Sequence, residues 1–479
     1  MIRSSGWACL LLSAAAAWGQ DPAAEMVQGI HSFLDREVVR VAAQRREPDR
    51  ERLRKIIGAV DPRIPSPQML LDAAIGRSSL AAETNLYRVH AVRWPVLDGV
   101  EGEGLLLEPL GKPIASVVAL PDADQTPEQL AGLAEGIPPQ AQYARLLAES
   151  GCRVLVPVLI DRKDTWSGDE RFRFTNQPHR EFIYRMAYEM GRHIIGYEVQ
   201  KTLAAVDWFT ATAPSVPIGI AGYGEGGLIA LHSAALDSRI TSALVSGYFQ
   251  AREQVWQEPI YRNVWSLLTE FGDAEIASLI APRTLVIESS PGPLITGPPP
   301  ETKDRRGAAP GQLKGPRISA VRSEYKRLQP MFEKRGAAER LSLAAGPAEA
   351  LEALLRGLGV LRPVSVDARK PRELRASFDP EKRMRRQFDQ LVEFTQKLLR
   401  RSEESRAAFW SKAEGRTSEW HRQYYWEEVI GRLPSPPATE AAQKHETGET
   451  AEWTRYNVKL PMWPGVFAYG VLLVPKDLK

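Results

Sequence analysis

Residues Pro217 to Ala235 read PIGIAGYGEGGLIALHSAA. A short apolar run, Ile218 to Ala221, enters a turn carrying Gly222, Gly224, Gly226 and Gly227. A second apolar run, Leu228 to Ala235, leaves it. The pattern predicts a strand, a tight turn and a helix. Three readings compete for the glycines. In the first, Gly222-Tyr223-Gly224-Glu225-Gly226 is the frame of a G-x-S-x-G turn, which presents a nucleophile at a strained strand-to-helix corner. Its apex here is Gly224, which has no side chain to attack anything. In the second, Gly222, Gly224 and Gly227 spell the dinucleotide loop G-x-G-x-x-G, which needs an acid at the end of the next strand for a ribose. That strand, Ile240 to Ser246, ends in Ser246-Gly247, and Glu225 puts negative charge where a pyrophosphate would sit. In the third, the glycines only let a strand and a helix pack closely. The rest of the chain decides for the first, because a motif counts only in its structural context.

Working outward, strands alternate with helical stretches. Tyr87 to Pro95 and Val100 to Glu108 flank Leu97-Asp98-Gly99 and predict a hairpin. Ala115 to Leu120 and Arg153 to Ile160 are apolar strands, with a helix expected from Gln129 to Ser150 between them. Ile183, Ala187, Met190, Ile194 and Tyr197 predict one long helix from Arg180 to Ala211. After the glycine turn come strands at Ile240 to Val245, Thr284 to Ile287 and Arg340 to Leu343. An antiparallel pair followed by alternating strands and helices argues a mostly parallel sheet covered on both faces. The glycine corner falls after the fifth of about eight strands. Residues 289 to 318, rich in proline, glycine and basic residues, read as a solvated loop.

With that order in place, residues 85 to 360 resemble the α/β-hydrolase superfamily, nearest its acetyl xylan esterase and dienelactone hydrolase-like branch. The resemblance rests on Gly222-Tyr223-Gly224-Glu225-Gly226-Gly227, on Asp237-Ser238-Arg239-Ile240 entering the sixth strand, and on Ala281-Pro282-Arg283-Thr284-Leu285-Val286-Ile287 entering the seventh. It implies an α/β-hydrolase fold: a mostly parallel eight-stranded sheet with helices on both faces, here with helical leader segments. It also implies carboxylic ester hydrolysis, with a nucleophile, an acid and a histidine in that chain order. Glu288, after the seventh strand, takes the acid slot. Gly224 takes the nucleophile slot. The histidine slot, in Leu343-Ala344-Ala345-Gly346-Pro347, holds no histidine, and none lies between His232 and His421. The frame still assigns the Glu225 backbone N–H to an oxyanion hole, but Asp122 and Asp124, where related esterases carry a His-Gly turn, would repel an oxyanion.

Acid gathers instead at the carboxyl ends of the strands, the edge where open α/β sheets bind ligands. Asp122 and Asp124 follow the third strand, Asp161 the fourth, Glu225 the fifth and Glu288 the seventh. Arg162, His179 and Arg180 follow the fourth, and Tyr223 flanks the apex. Either these carboxylates pair with nearby arginines and cap helices, or they form a negative polar pocket for a sugar, a cation or an amine. Tyr248, Phe249, Trp256, Tyr261 and Trp265 are either a stacking lid or core. His193 and His232 read as packing residues. No zinc spacing appears, and no metal or cofactor is expected.

A net charge of +3 on 479 residues implies no general affinity for nucleic acid. Arg3, the apolar run Trp7 to Ala17 and the small pair Ala17 and Gly19 read as a secretory signal, residues 1–19, with a secreted or periplasmic destination. No later stretch is apolar enough to cross a membrane. Of two cysteines, Cys9 leaves with the signal, and Cys152 opens an apolar strand as a buried, inert thiol.

The last segment echoes the first. Val92-Arg93-Trp94-Pro95-Val96-Leu97-Asp98-Gly99-Val100 is matched without a gap by Val458-Lys459-Leu460-Pro461-Met462-Trp463-Pro464-Gly465-Val466, and Gly104-Leu105-Leu106-Leu107-Glu108-Pro109 by Gly470-Val471-Leu472-Leu473-Val474-Pro475. The expected plan is therefore a signal (1–19), a helical leader (20–84), a hydrolase-like body (85–362), a second leader and linker (363–450), and the opening hairpin of a second unit (451–479). Two strands alone are marginal, so the hairpin leans on the first unit or the chain is a piece of a tandem protein. The functional expectation is a secreted protein of esterase type whose first unit lacks nucleophile and histidine. The alternative is a pseudo-hydrolase that binds a small molecule or carbohydrate without catalysis.

Overall fold

The computed structural model describes residues 21–45, 47–73, 78–360, 370–376, 378–411, 415–436 and 441–477. The expected signal segment lies outside them. The described residues fall into two units, Arg45–Ser411 and the parts of Met1–Gln44 and Lys412–Lys479 that are described.

The larger unit is built on strands β1 (Leu70–Leu71), β2 (Leu80–Glu83), β3 (Tyr87–Leu97), β4 (Val100–Pro109), β5 (Ser116–Leu120), β6 (Arg153–Pro157), β7 (Ile218–Tyr223), β8 (Ile240–Ser246), β9 (Thr284–Glu288) and β10 (Leu341–Ala344). They form one sheet in the order β1-β3-β4-β6-β5-β7-β8-β9-β10, with β2 also on β3. The β3–β4 and β4–β6 pairs are antiparallel, and every pair from β6 to β10 is parallel. This is an α/β-hydrolase fold. The short β1 and β2 extend the expected eight strands to ten.

Continuous apolar runs make β5, β6, β7 and β9 strands covered on both faces. Along β5 and β6, Val118, Leu120 and Leu155 face one core with the helices Ile194–Thr212 and Glu225–Leu236. Val117, Ala119, Val154 and Val156 face the other, with Tyr143–Glu149 and Pro347–Gly357. Between β5 and β7 the winding reverses direction, which opens a crevice at the carboxyl edge.

Two helices expected as single are broken. Gln129–Ser150 is divided into Pro127–Leu130 and Tyr143–Glu149, because Gly132 and Gly136 take positive φ and Pro138-Pro139 follow. Arg180–Ala211 is divided into His179–Tyr188 and Ile194–Thr212 at Gly191, where φ is +65°. The charged leader contributes Arg50–Ile56 here, but its end supplies β1 and β2 rather than helix.

In the smaller unit the helix Pro22–Ala42, N-capped by Asp21, lies on an antiparallel sheet of β11 (Gln443–Glu449), β12 (Trp453–Trp463) and β13 (Val466–Pro475). Phe33 packs on Trp463 with centroids 5.0 Å apart, and Glu25 pairs with Lys459 at 2.8 Å. Sequence patterning predicts β12 and β13 but not β11.

The three strands repeat β2, β3 and β4 at one constant shift. Tyr87 opposite Pro109 becomes Trp453 opposite Pro475, and Leu97 opposite Val100 becomes Trp463 opposite Val466. Leu80 opposite His90 becomes Glu446 opposite Tyr456, with the same irregularity one step later. The turn before the middle strand is copied too: the Thr84 hydroxyl donates to the Tyr87 carbonyl, and the Thr450 hydroxyl to that of Trp453. Among the described residues, no helix is long and apolar enough to cross a membrane.

Candidate functional site

The strand β7 delivers Tyr223 to the carboxyl edge, and the helix Glu225–Leu236 starts one residue after Gly224. Gly224 itself has φ 60° and ψ −119°, the strained corner of a nucleophile turn. The helix approaches so closely that a Cβ at Gly226 would lie 2.1 Å from the Leu120 carbonyl oxygen. The backbone therefore has the shape that presents a nucleophile, with no nucleophile on it.

What fills the apex is Asp122. Its Oδ1 accepts the Glu225 backbone N–H at 2.9 Å, the donor assigned to an oxyanion hole. A Cβ built on Gly224 would meet the same oxygen at 2.4 Å. The Asp122 N–H is also engaged, donating to the Gln125 side chain at 3.0 Å. The corner is therefore closed by a carboxylate that takes the place of an oxyanion. It equally takes the place of a pyrophosphate at the helix N-terminus, which removes the geometric basis of the dinucleotide reading.

Arg162 holds Asp122 there with two contacts, Nη1 to Oδ2 at 2.6 Å and Nη2 to Oδ1 at 3.0 Å. It also takes Asp124 at 2.9 Å and Glu225 at 3.5 Å, and its Nε donates to the Tyr261 hydroxyl at 3.0 Å. Glu225 is fully buried and receives Arg262 at 2.8 Å and Arg180 at 3.7 Å. Arg180 in turn grips Glu198 at 2.9 Å, and Arg262 grips Glu258 at 2.9 Å. Burial pushes the Glu225 carboxyl up, but Arg262, Arg180 and Arg162 outweigh it and hold the group at about 2. Burial likewise opposes ionisation of Asp122, and Arg162 still draws it below the usual carboxylate range. Of the two arrangements the sequence leaves open, Asp122, Asp124 and Glu225 take the paired one: they converge with Arg162, Arg180 and Arg262 as an ion network.

The other expected residues separate from it. His179 is buried, stacked on Trp166 at 4.7 Å, with Nδ1 on Asp161 at 2.5 Å. Its Nε2 accepts the Trp166 backbone N–H at 3.0 Å, so Nδ1–H is the donor to Asp161 and neither nitrogen faces a substrate. The pair braces a loop. Tyr248, Phe249 and Tyr261 are core, while Trp256 and Trp265 are exposed. His193 and His232 are buried, as packing residues.

Glu288 ends β9 in the acid slot, buried, accepting Ser246 Oγ at 2.5 Å and Ser290 Oγ at 2.6 Å. With Tyr223 and Ser246 it lines a cavity of about 370 Å³ whose remaining wall includes Leu130, Ile137, Tyr143, Ala350 and Leu351. Pro347, at the start of the helix after β10, closes it where a catalytic histidine would enter. Among the described residues, no group of three or more His, Cys, Asp or Glu side chains is placed to hold a metal ion.

Sequence reasoning missed Arg262, Glu198 and Gln125. Only Glu198 carried a signal, as one of two charges, with Lys201, inside the mostly apolar stretch Ile194 to Val206.

No family model matches the sequence, and no curated protein matches it. Among solved structures, the chain is similar to a candidate acetyl xylan esterase from Bacteroides fragilis NCTC 9343, at 15% identity over 63% of this chain and 74% of that one, with TM-score 0.44. It is similar to a glucuronoyl esterase from Solibacter usitatus at 13% identity, over 65% and 91%, with TM-score 0.41. It is also similar to a glucuronoyl esterase of carbohydrate esterase family 15 from Teredinibacter turnerae T7901, at 12% identity, over 65% and 83%, with TM-score 0.43. These are likenesses of fold.

Proposed function

We propose that the larger unit is a non-catalytic member of the α/β-hydrolase fold, of carbohydrate-esterase descent, which keeps the active-site crevice as a ligand pocket. The observation that carries this reading is the Asp122 carboxylate on the Glu225 N–H at the apex where Gly224 replaces a nucleophile. Acyl transfer needs an attacking group, a base to take its proton, and free donors for the developing oxyanion. The corner offers none of the three. Beside it, the cavity at Glu288 combines an apolar wall with a carboxylate that accepts hydrogen bonds. That chemistry suits a small neutral ligand with a hydroxyl donor, a sugar derivative in the first place. The N-terminal segment supports export to the periplasm or beyond. Residues 443–475 are the opening meander of a second unit of the same design, a reading supported by the copied register.

The test pairs two measurements on the purified chain. Hydrolysis of p-nitrophenyl acetate is expected at the background rate. A calorimetric panel of neutral, acetylated and methyl-esterified sugars is expected to yield a binder that Glu288→Gln weakens. Saturable turnover blocked by a serine-directed phosphonate would overturn the reading.

A further inference from the structure

The outer edge of β13 is built for a neighbour. Under the shift that carries Tyr87 to Trp453, the β4 segment Gly104–Leu107 becomes Gly470–Leu473. In the larger unit that segment pairs antiparallel with β6, Gly104 opposite Pro157 and Leu107 opposite Val154. Leu105, Leu106 and Leu107 are at most 7% exposed there, their faces covered by helices that include Tyr143–Glu149 and Pro380–Arg400 while β6 takes the backbone edge. Their counterparts Val471, Leu472 and Leu473 are 52%, 46% and 52% exposed, and among the described residues no strand lies beyond β13. Consecutive apolar residues belong to a strand covered on both faces. Open edges are ordinarily protected by charge, proline or a bulge. The run Gly470 to Val474 has no charge and no proline, and the irregularity of its ladder lies elsewhere, at Pro461 and Trp463.

A second observation comes from the glycine. A Cβ at Gly104 would lie 2.0 Å from the Val156 carbonyl oxygen of β6, so the neighbouring strand requires glycine there. Gly470 holds the same place, yet nothing lies within 4 Å of its Cβ position. The edge carries the glycine that a close backbone demands.

We propose that the outer edge of β13 is a strand-docking site. Its occupant is an apolar extended segment with the chemistry of β6, Arg-Val-Leu-Val-Pro, entering antiparallel with its proline opposite Gly470 and its first valine opposite Leu473. Main-chain hydrogen bonds supply the affinity, and side chains alternating to the two faces supply the selectivity.

The probe is a fluorescein-labelled peptide of residues 151–158 with Cys152→Ser and two appended lysines for solubility, titrated into the full chain by anisotropy. Saturable binding in the micromolar range is expected, with new amide protection at residues 470–473 in hydrogen exchange. Leu472→Lys and Gly470→Val, both on the exposed edge, should each weaken binding by about tenfold or more while leaving the far-ultraviolet circular dichroism unchanged. A scrambled peptide should not bind. Absence of saturable binding, equal binding of the scrambled peptide, or indifference to both substitutions would overturn the proposal. A concentration-dependent dimer dispersed by Leu472→Lys would overturn it too, by making the occupant a second copy.

Discussion

Replacing Glu225 by glutamine keeps the side-chain volume and removes one negative charge from the middle of three guanidinium groups. Arg262, Arg162 and Arg180 lie 2.8, 3.5 and 3.7 Å from its carboxylate oxygens. Holding the carboxyl at about 2 instead of 4.5 corresponds to roughly 3 kcal/mol in favour of the charged form. Removing one side of a buried pair commonly costs about 3–5 kcal/mol. Here each arginine keeps another carboxylate, Asp122 for Arg162, Glu198 for Arg180 and Glu258 for Arg262. The loss therefore falls at or just below the lower end, and Glu225→Gln is expected to destabilise the larger unit by roughly 2–3 kcal/mol. Equilibrium urea unfolding followed by tryptophan fluorescence measures it. The folded-state value is depressed, so this contribution is present above about 4.5 and is lost as pH falls towards about 2. The gap between the two proteins should therefore be constant from neutral pH down to about 5 and close below that. An unchanged or raised midpoint for the variant at neutral pH would refute the reasoning, because it would mean that repulsion among carboxylates outweighs their pairing with arginine.

Gly224→Ser should not confer ester hydrolysis and should destabilise the fold by about 1–3 kcal/mol, since φ is +60° and the new Cβ meets Asp122; a p-nitrophenyl acetate assay and a urea titration check the two halves. Burial pushes the Cys152 thiol up to about 12, so Ellman's reagent should find it unreactive in the native protein and reactive in urea. Burial pulls His193 and His232 down to about 4. Their share of stability is present above 6.5 and lost as pH falls towards 4, so unfolding midpoints should drop across that window, and His232→Leu should flatten the drop.

The fold was legible because the apolar runs are long and their order is informative. Ser116–Leu120, Arg153–Pro157, Ile218–Tyr223 and Thr284–Glu288 are each covered on both faces, and such runs stand out from their surroundings. Helix continuity was less legible. The stripe Ile183, Ala187, Met190, Ile194 keeps helical spacing across Gly191, yet a glycine free to take φ +65° lets the chain turn there. β11 was invisible for a different reason. Gln443–Glu449 is exposed along its whole length, so no alternation marks it, and its place is set by pairing with β12.

The site divides along the same line. Gly224 and the empty histidine slot are local facts, and a frame of five residues is enough to read them. The carboxylates were equally visible, but their meaning depends on partners far along the chain. Asp122 meets Arg162, and Glu225 meets Arg262 and Arg180, across turns whose geometry no local pattern specifies. Counting acids at a sheet edge gives a negative cleft, whereas adding the arginines gives a closed ion network. The distinction matters for function because the two arrangements select different ligands. An open negative cleft attracts cations; a network whose carboxylates are held by arginines, with Asp122 on the Glu225 N–H, leaves the adjoining Glu288 cavity as the place for a hydroxyl-bearing molecule. Glutamine at 288 still accepts one hydrogen bond but loses the charge that strengthens those from Ser246 and Ser290. Glu288→Gln should therefore weaken a sugar ligand by about tenfold, and calorimetric titration of the two proteins checks it: an unchanged affinity would refute the placement of the ligand at Glu288.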